Sequence, residues 1–255
     1  MTCKVCQSQI TKIFSHIILK KYMIDYFQCN ICGFIQTEAP YWIEEAYKNA
    51  LNPDDTGLIK RNEYFREKAS TLLFFLFPKN NKYIDYAGGY GLFTRMMRDI
   101  GFDFFWTDKY AQNIISKGFE DKPENKYQCV TAFEIFEHMI DPHEELEKIL
   151  KYSDNIIFST VLSGDHVQDQ NWWYYGFNHG QHVSIYSEKS LKLLGSKFGL
   201  NFYTNGSNFH MFTKKRLSNF FFKLMIKLAK YGLYNFIKFN LTSKTDSDAQ
   251  FLINQ

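Results

Sequence analysis

In "TAFEIFEHMIDP", residues 131–142, Glu134, Glu137 and His138 crowd together where an apolar run ends. Spaced i, i+3 and i+4, they are expected to share one face of a single helical turn. Two carboxylates and an imidazole in that arrangement can accept a hard or borderline divalent ion, Mg²⁺ or Mn²⁺, with positions left open for a substrate oxygen. Such an ion lowers the pKa of a hydroxyl bound to it. Two other readings stay open: a metal-free general base at His138 or His182, or a turn in which His138 packs and Glu137 caps or pairs with a lysine.

Four of the five cysteines stand as Cys3-x-x-Cys6 and Cys29-x-x-Cys32. Each pair can form a tight knuckle that presents two sulfurs, and two knuckles complete the tetrahedral thiolate shell that zinc prefers. With four protein ligands the ion is closed to substrate, so its expected role is to hold together a segment too small for its own core. Two redox pairs and a fortuitous spacing are the rivals. Cys129, inside an apolar run, is expected in the core.

A third set lies in "IDYAGGYGLFT", where Asp85 precedes the small residues Ala87, Gly89 and Gly91. A strand that ends in such a turn lets backbone approach a ligand closely and aims helix N–H groups at it. The spacing is not the G-x-G-x-x-G dinucleotide fingerprint, which argues against NAD. One strand later "FFWTDKY" ends in Asp108, a carboxylate able to accept ribose hydroxyls. Together the two features indicate a nucleoside-type cofactor.

These residues need a scaffold, and the pattern supplies one. From residue 82 onward short apolar runs alternate with amphipathic stretches: "KYIDYAG", "FDFFWTDK", "YQCVTAFEIF" and "NIIFSTVL" as strands, "GLFTRMMRDIG" and "HEELEKILKYS" as helices. That alternation predicts an α/β fold, a doubly wound parallel sheet with ligands at the carboxyl ends of its strands. Asn205-Gly206 is expected to turn a closing antiparallel hairpin. Ahead of the sheet, "HIILKKYMIDYFQC" is strand-like, "YWIEEAYKNAL" has helical spacing, "NPDD" breaks it, and "LIKRNEYFREKASTLLFFLFP" is a longer helix ended by Pro78.

With its elements in place, "YIDYAGGYGLFTRMMRDIG…FFWTDKY…YQCVTAFEIFEHMIDP" resembles the class I S-adenosylmethionine-dependent methyltransferases, over roughly residues 80–215. The resemblance implies that Asp85, Ala87, Gly89 and Gly91 surround the methionine part of the cofactor, that Asp108 holds its ribose and that Phe133 lies beside it. Ala87 stands where the family has its first glycine and is expected to be tolerated because it is small. The Glu-x-x-Glu-His element resembles that of metal-assisted O-methyltransferases acting on small-RNA ribose ends and quinone precursors. Those families add a histidine from beyond the fifth strand, a position that His182 in "GQHVSIYS" matches, with His179 as the substitute. The cysteine pairs, "DTGLIKRN" and "GQHVSIYS" look like a bacterial subgroup associated with sugars and surface polysaccharides.

The implied activity is O-methylation of a sugar, nucleotide-sugar or phosphorus-containing group in capsule biosynthesis. Sugar C-methylation with a histidine base and RNA 2′-O-methylation are the alternatives. The expected organisation is a zinc-binding module (1–39), a helical lid (40–78), the methyltransferase domain (79–215) and a helical extension (216–255). Tyr41, Tyr47, Arg61 and Asn62 are candidate lid contacts, Arg61 toward the methionine carboxylate. Trp172, Trp173, Tyr174 and Tyr175 either stack on a sugar or base or pack on the sheet.

Composition narrows the partners. Formal net charge is only +3 across 255 residues, which argues against a nucleic-acid-coating protein, while 45% hydrophobic residues suffice for a sizeable core. "MTCKVC" has no secretory pattern and no apolar run of about twenty residues appears, so a cytoplasmic protein is expected. "LSNFFFKLMIKLAKYGLYNFIKF", within 217–240, either lies on a membrane surface with Lys223, Lys227 and Lys230 at its rim or packs on the protein or a second subunit. Packing is favoured, because Phe and Leu fall on more than one stripe.

Overall fold

The computed structural model describes residues 1–48, 55–78, 80–164 and 168–254. In chain order the elements are β1 (Ile10–Ile18), β2 (Tyr22–Cys29), β3 (Ile35–Thr37), α1 (Ile43–Ala46), α2 (Leu58–Leu76), β4 (Lys82–Tyr86), α3 (Leu92–Ile100), β5 (Asp103–Thr107) and β6 (Cys129–Ala132). They continue as α4 (Pro142–Leu150), β7 (Ile156–Ser159), β8 (Ser184–Ile185), α5 (Glu188–Lys197), β9 (Asn201–Thr204), β10 (Phe209–Thr213), α6 (Asn219–Leu228), α7 (Tyr234–Phe239) and α8 (Thr245–Ile253).

Six strands form a mixed sheet in the order β5-β4-β6-β7-β10-β9, with β4 parallel to β5 and β6 and the β9–β10 hairpin antiparallel. This is the Rossmann-like architecture expected from the alternation of elements. Interior strands bury both faces, which is why β6 and β7 are buried at every position and read as unbroken runs. The hairpin closes as the Asn205-Gly206 pair requires: Gly206 takes φ 87°, and Asn205 Oδ1 accepts N–H bonds from Ser207, Asn208 and Phe209.

Two local expectations need correction. The strand-like run at 16–29 is a hairpin, β1 against β2, whose turn places Leu19 and Lys20 at φ 50° and 55°. Positive-φ turn positions favour Asn and Gly, so Leu19 and Lys20 in this three-residue connection give no turn signal in the sequence. The helix expected over 41–51 is a single turn, α1; its last three residues and the first three of the "NPDD" breaker lie outside the described residues.

The chain divides into two compact units. One comprises Pro53–Phe133, Ile149–Ile157 and Arg216–Gln255. In it α2 buries Phe65, Ala69, Leu72 and Leu73, the i, i+4, i+7, i+8 stripe of an amphipathic helix. Phe93, Met97 and Ile100 do the same for α3, and Phe222, Ile226 and Ala229 for α6 and its continuation. A buried charge network ties the C-terminal helix down. Arg98 donates from Nε and Nη2 to the two carboxylate oxygens of Asp248, each at 2.7 Å, while Nη1 donates to Asp103 and to the Phe104 carbonyl at 2.8 Å. Removing one partner strands the other charge, so Asp248→Ala is expected to destabilise the protein by about 3–5 kcal/mol in denaturant titration. A loss below about 1 kcal/mol would show that the clamp is not formed.

The other unit comprises Met1–Asn52, Glu134–Lys148 and Phe158–Lys215. Its four-stranded sheet runs β1-β2-β3-β8, so the cysteine-bearing segment completes its sheet with two residues from far down the chain. Phe14, Ile24, Tyr26, Trp42, Tyr174 and Tyr175 are members of one buried cluster there.

Candidate functional site

The expected cofactor turn leaves β4 through three left-handed residues at alternate positions: Ala87 (φ 53°), Gly89 (φ 55°) and Gly91 (φ 87°). Ala87 is accommodated, but not freely, since a left-handed L-residue costs about 1–2 kcal/mol. The neighbouring glycines are required. A Cβ on Gly88 would lie 2.6 Å from Asp85 Oδ2, and one on Gly91 would lie 2.5 Å from Asn113 Oδ1. A Cβ on Gly89 would meet nothing within 4 Å, so this backbone borders open space that a ligand can fill.

Asp108 locks the turn. Its Oδ2 accepts the Gly89 N–H at 2.9 Å, and its Oδ1 accepts those of Tyr110 and Ala111 at 2.7 and 2.8 Å. A carboxylate offers about four acceptor sites, so one remains for a hydroxyl donor. Trp106, which sequence reasoning passed over, donates from Nε1 to the Gly89 carbonyl at 2.9 Å. An open groove beyond it is lined by Trp106, Tyr110, Asn113 and Lys117.

Asp85 is 3% exposed and accepts the Thr131 hydroxyl at 2.7 Å. Burial pushes its carboxyl up to about 7, a shift that the Thr131 bond opposes and the charge of Asp108 reinforces. Phe133 stacks on Phe65 at 4.4 Å and meets Phe93 edge-on. Arg61 forms a two-pronged pair with Asp55 at 2.7 and 2.6 Å, and Asn62 donates to the Leu58 carbonyl. The expected role of Arg61 toward a carboxylate is thus filled by a residue of its own chain.

The unit that contains Glu134–Lys148 holds the second set. Here the shared helical face is corrected: Glu134 sits at φ 55°, ahead of a tight 3₁₀ turn at Phe136–His138. The i, i+3, i+4 rule belongs to a continuous α-helix and does not survive this break. Ser159 Oγ donates to Glu134 Oε1 at 2.6 Å and accepts the Glu134 N–H at 2.7 Å. The group with metal-ligand geometry is instead Glu137, His138 and His182, whose ligand atoms all lie within 4.8 Å of one another.

Glu137 is 0% exposed, and neither carboxylate oxygen has a hydrogen-bond partner among the described residues. The Thr160 and Tyr174 hydroxyls are near enough to favour the ionised form, yet they bond each other at 3.0 Å. Burial, with the charge of Glu134, pushes Glu137 up to about 8. His138 Nδ1 is likewise buried and without a partner among the described residues, and desolvation pushes the ring down to about 4, so it is neutral. His182 Nδ1 lies 2.5 Å from the Tyr174 carbonyl. A carbonyl can only accept, so Nδ1 carries the proton and Nε2 the lone pair.

The rings of His138 and His182 meet edge-on at 5.0 Å, with Tyr47 edge-on to His138 at 6.0 Å and His179 at 4.7 Å from His182. Two backbone-directed bonds fasten the His182 segment to the turn: Val183 N–H to the Glu137 carbonyl at 2.9 Å, and Ser184 Oγ to that of Met139 at 2.6 Å. Of the four aromatics before it, Tyr174 and Tyr175 are core residues, 2% and 0% exposed, whereas Trp173 is 73% exposed. Trp172 is partly buried and packs against the same cluster, which leaves Trp173 the most exposed of the four for stacking.

In the cysteine cluster all four sulfurs lie within 4.8 Å of one another, with Cys3–Cys32 at 3.5 Å and Cys6–Cys29 at 3.4 Å. A tetrahedral zinc shell places its sulfurs about 3.8 Å apart, whereas a disulfide needs about 2.05 Å, so the cluster suits an ion rather than redox pairs. Both knuckles use the same device. The residue after the second cysteine, Gln7 or Gly33, is left-handed (φ 63° and 73°), and Sγ of the first accepts the N–H of the second at 3.5 Å. Cys129 is buried in β6, as expected.

A strand–turn–helix with a carboxylate after the second strand is suited to a nucleoside-type ligand. A family model described as a methyltransferase domain matches residues 60–205, more than half of the chain, and the chain belongs to that family: it is an S-adenosylmethionine-dependent methyltransferase. Among solved structures it is similar to the plantazolicin methyltransferase BpumL in complex with SAH, at 14% identity and TM-score 0.49, covering 75% of this chain and 83% of that one. It is also similar to the magnesium protoporphyrin IX methyltransferase ChlM of Synechocystis PCC 6803 with bound SAH, at 13% identity and TM-score 0.43, covering 67% and 92%. OxaC shares 13% identity at TM-score 0.46 over 68% of this chain and 53% of its own, so the chain spans about half the length of that relative. No curated protein sequence matches the chain.

Proposed function

We propose that the protein transfers the methyl group of S-adenosylmethionine to an oxygen of a small polar acceptor: a sugar, nucleotide-sugar or phosphorus-containing group of a bacterial surface polysaccharide. The observation that carries the chemistry is the Glu137–His138–His182 cluster, in which buried carboxylate oxygens and an imidazole nitrogen lack partners among the described residues. Buried polar atoms without partners are costly, and one carboxylate with two imidazoles suits a borderline divalent ion such as Mn²⁺ better than Mg²⁺, which prefers oxygen ligands. A divalent ion bound there would supply Lewis-acid polarisation of the acceptor hydroxyl. Glu137, raised to about 8 by burial, would supply negative charge once a bound ion displaces its proton, and His182 presents Nε2 in a fixed tautomer. In-line displacement at a sulfonium methyl needs little beyond such positioning. The polysaccharide acceptor rests on the resemblance of the cysteine pairs, "DTGLIKRN" and "GQHVSIYS".

A second reading, sugar C-methylation, is favoured by the same fixed tautomer, because His182 Nε2 is then a ready general base without any ion. Turnover of candidate sugar phosphates with and without Mg²⁺ or Mn²⁺ separates the two. Activity that persists in chelator removes the metal, and no turnover on any sugar acceptor removes the substrate class. The four cysteines are proposed to hold structural zinc.

The proposed contact of Asp85 with the cationic methionine end of the donor gives a pH test. Only the carboxylate attracts a cation, and burial places its pKa at about 7. Affinity for S-adenosylmethionine is therefore expected to fall up to tenfold per pH unit below about 7 and to level off above it, with Asp85→Asn weaker and flat in calorimetry. Stability runs the opposite way. The folded pKa lies above the unfolded 3.8, so this group's contribution is complete below 3.8 and lost as the pH rises through about 7. A wild-type affinity that does not vary between about pH 6 and 8 would remove Asp85 from the donor site.

A further inference from the structure

We propose that α6, the bend after it and α7 form a docking surface for an anionic lipid bilayer. The inner stripe of α6, Phe222, Ile226 and Ala229, is buried, and α6 and α7 both pack on α2. The outer stripe is a separate surface. Phe220, Lys223, Lys227 and Lys230 recur at i, i+3, i+7 and i+10 and are all exposed, so one helix face carries three ammonium groups. Gly232 (φ 100°) breaks the helix; Tyr231 just before it is 70% exposed, and beyond it Phe239 is 89% exposed next to the exposed Lys238.

Charge complementarity identifies the occupant. Residues 216–244 carry six Lys and Arg and no Asp or Glu. Lys223, Lys227, Lys230 and Lys238 make no ion pair among the described residues. Nothing in the fold requires Phe220 or Phe239 to face outward, and an exposed phenyl ring at 89% is unfavourable in water. Basic stems with apolar rings between them match the boundary between acyl chains and anionic headgroups, where lysines add electrostatic attraction and aromatics insert. Among the described residues no helix is long and apolar enough to cross a membrane, so contact is at the surface only. Nucleic acid is the weaker match, because the segment uses Lys point charges rather than the planar Arg forks that favour phosphate recognition.

The test is co-sedimentation of the full chain with vesicles of phosphatidylcholine alone or mixed with phosphatidylglycerol. Binding is expected to the mixed vesicles only and to decline with added salt. The triple variant Lys223→Glu, Lys227→Glu, Lys230→Glu is expected to lose roughly a hundredfold in partitioning. Phe239→Asp, at a position too exposed to affect folding, is expected to weaken the same binding while S-adenosylmethionine affinity stays at the wild-type value. Equal binding to neutral vesicles, an unchanged triple variant, or an RNA complex or a second copy of the chain lost through the same substitutions would each overturn the proposal.

Discussion

Replacing His182 with alanine is expected to lower turnover by roughly 10²–10⁴-fold, the range for a lost general base or metal ligand, while S-adenosylmethionine still binds with an affinity within about twofold of wild type. The split follows from where the residue stands. His182 is held by the Tyr174 carbonyl at Nδ1 and by the bonds of Val183 and Ser184 to the Glu137–Met139 turn, whereas the residues proposed to bind the donor are Asp85, the glycine turn and Asp108. Alanine removes Nε2 without removing either backbone tether. Glu137→Gln discriminates further. If an ion is held, glutamine loses most of the affinity for it and activity recovers only at high Mn²⁺; if His182 acts alone, the ion has no effect on either variant. An alanine variant with wild-type kcat would remove the cluster from the reaction.

The second large effect is expected far from any reacting atom. Cys29→Ser combined with Cys32→Ser, or prolonged chelation, should lower the melting temperature by more than about 10 °C and abolish turnover. Structural zinc contributes on the order of 10 kcal/mol to small modules, and losing even half of that moves the midpoint of a chain this size by about 10–20 °C. The loss of activity follows from connectivity within one unit. β3 begins two residues after Gly33 and pairs with β8, Thr37 N–H donates to the Val183 carbonyl, and Ser187 Oγ donates to the Cys32 carbonyl at 2.5 Å. The first knuckle reaches the turn region as well, since the Val5 carbonyl meets His143 Nε2 at 2.9 Å. His182 therefore lies two residues ahead of β8, a strand paired with the β3 that follows the second cysteine knuckle. A metal-free protein with an unaltered melting curve and full activity would show that the knuckles bind nothing of consequence.

What could be read from sequence follows a physical divide. The parallel sheet announced itself because buried strands are apolar throughout and helices between them keep a 3.6-residue stripe; both signals are local. The turn after β4 was legible for the same reason, since Gly89 and Gly91 are demanded by φ and Asp108 by hydrogen bonds nearby. The cysteine pairs were legible from spacing. Failures came where a residue acts against its type. Leu19 and Lys20 adopt a turn conformation that their side chains disfavour, and Glu134 is left-handed, which breaks the helical face inferred from its spacing. His182 was found by resemblance alone, because nothing within reach of residue 182 in the chain shows that its ring will meet Glu137 and His138. Tyr174 and Tyr175 were open between stacking and packing, and long-range burial decided it. The sequence of the α6 segment fits both a membrane surface and packing, because its two stripes answer to different surroundings.

The pairing of β3 with β8 also sets a timetable. Ile35 meets Ile185, a partner 150 residues later in the chain. At roughly 5–20 residues per second on the ribosome, about 10–30 s pass between the emergence of the first three strands and that of the fourth. Through that interval the nascent hairpin has an uncovered edge and a half-built core, and the knuckles, whose four cysteines are all synthesised by residue 32, are the part that can close without waiting.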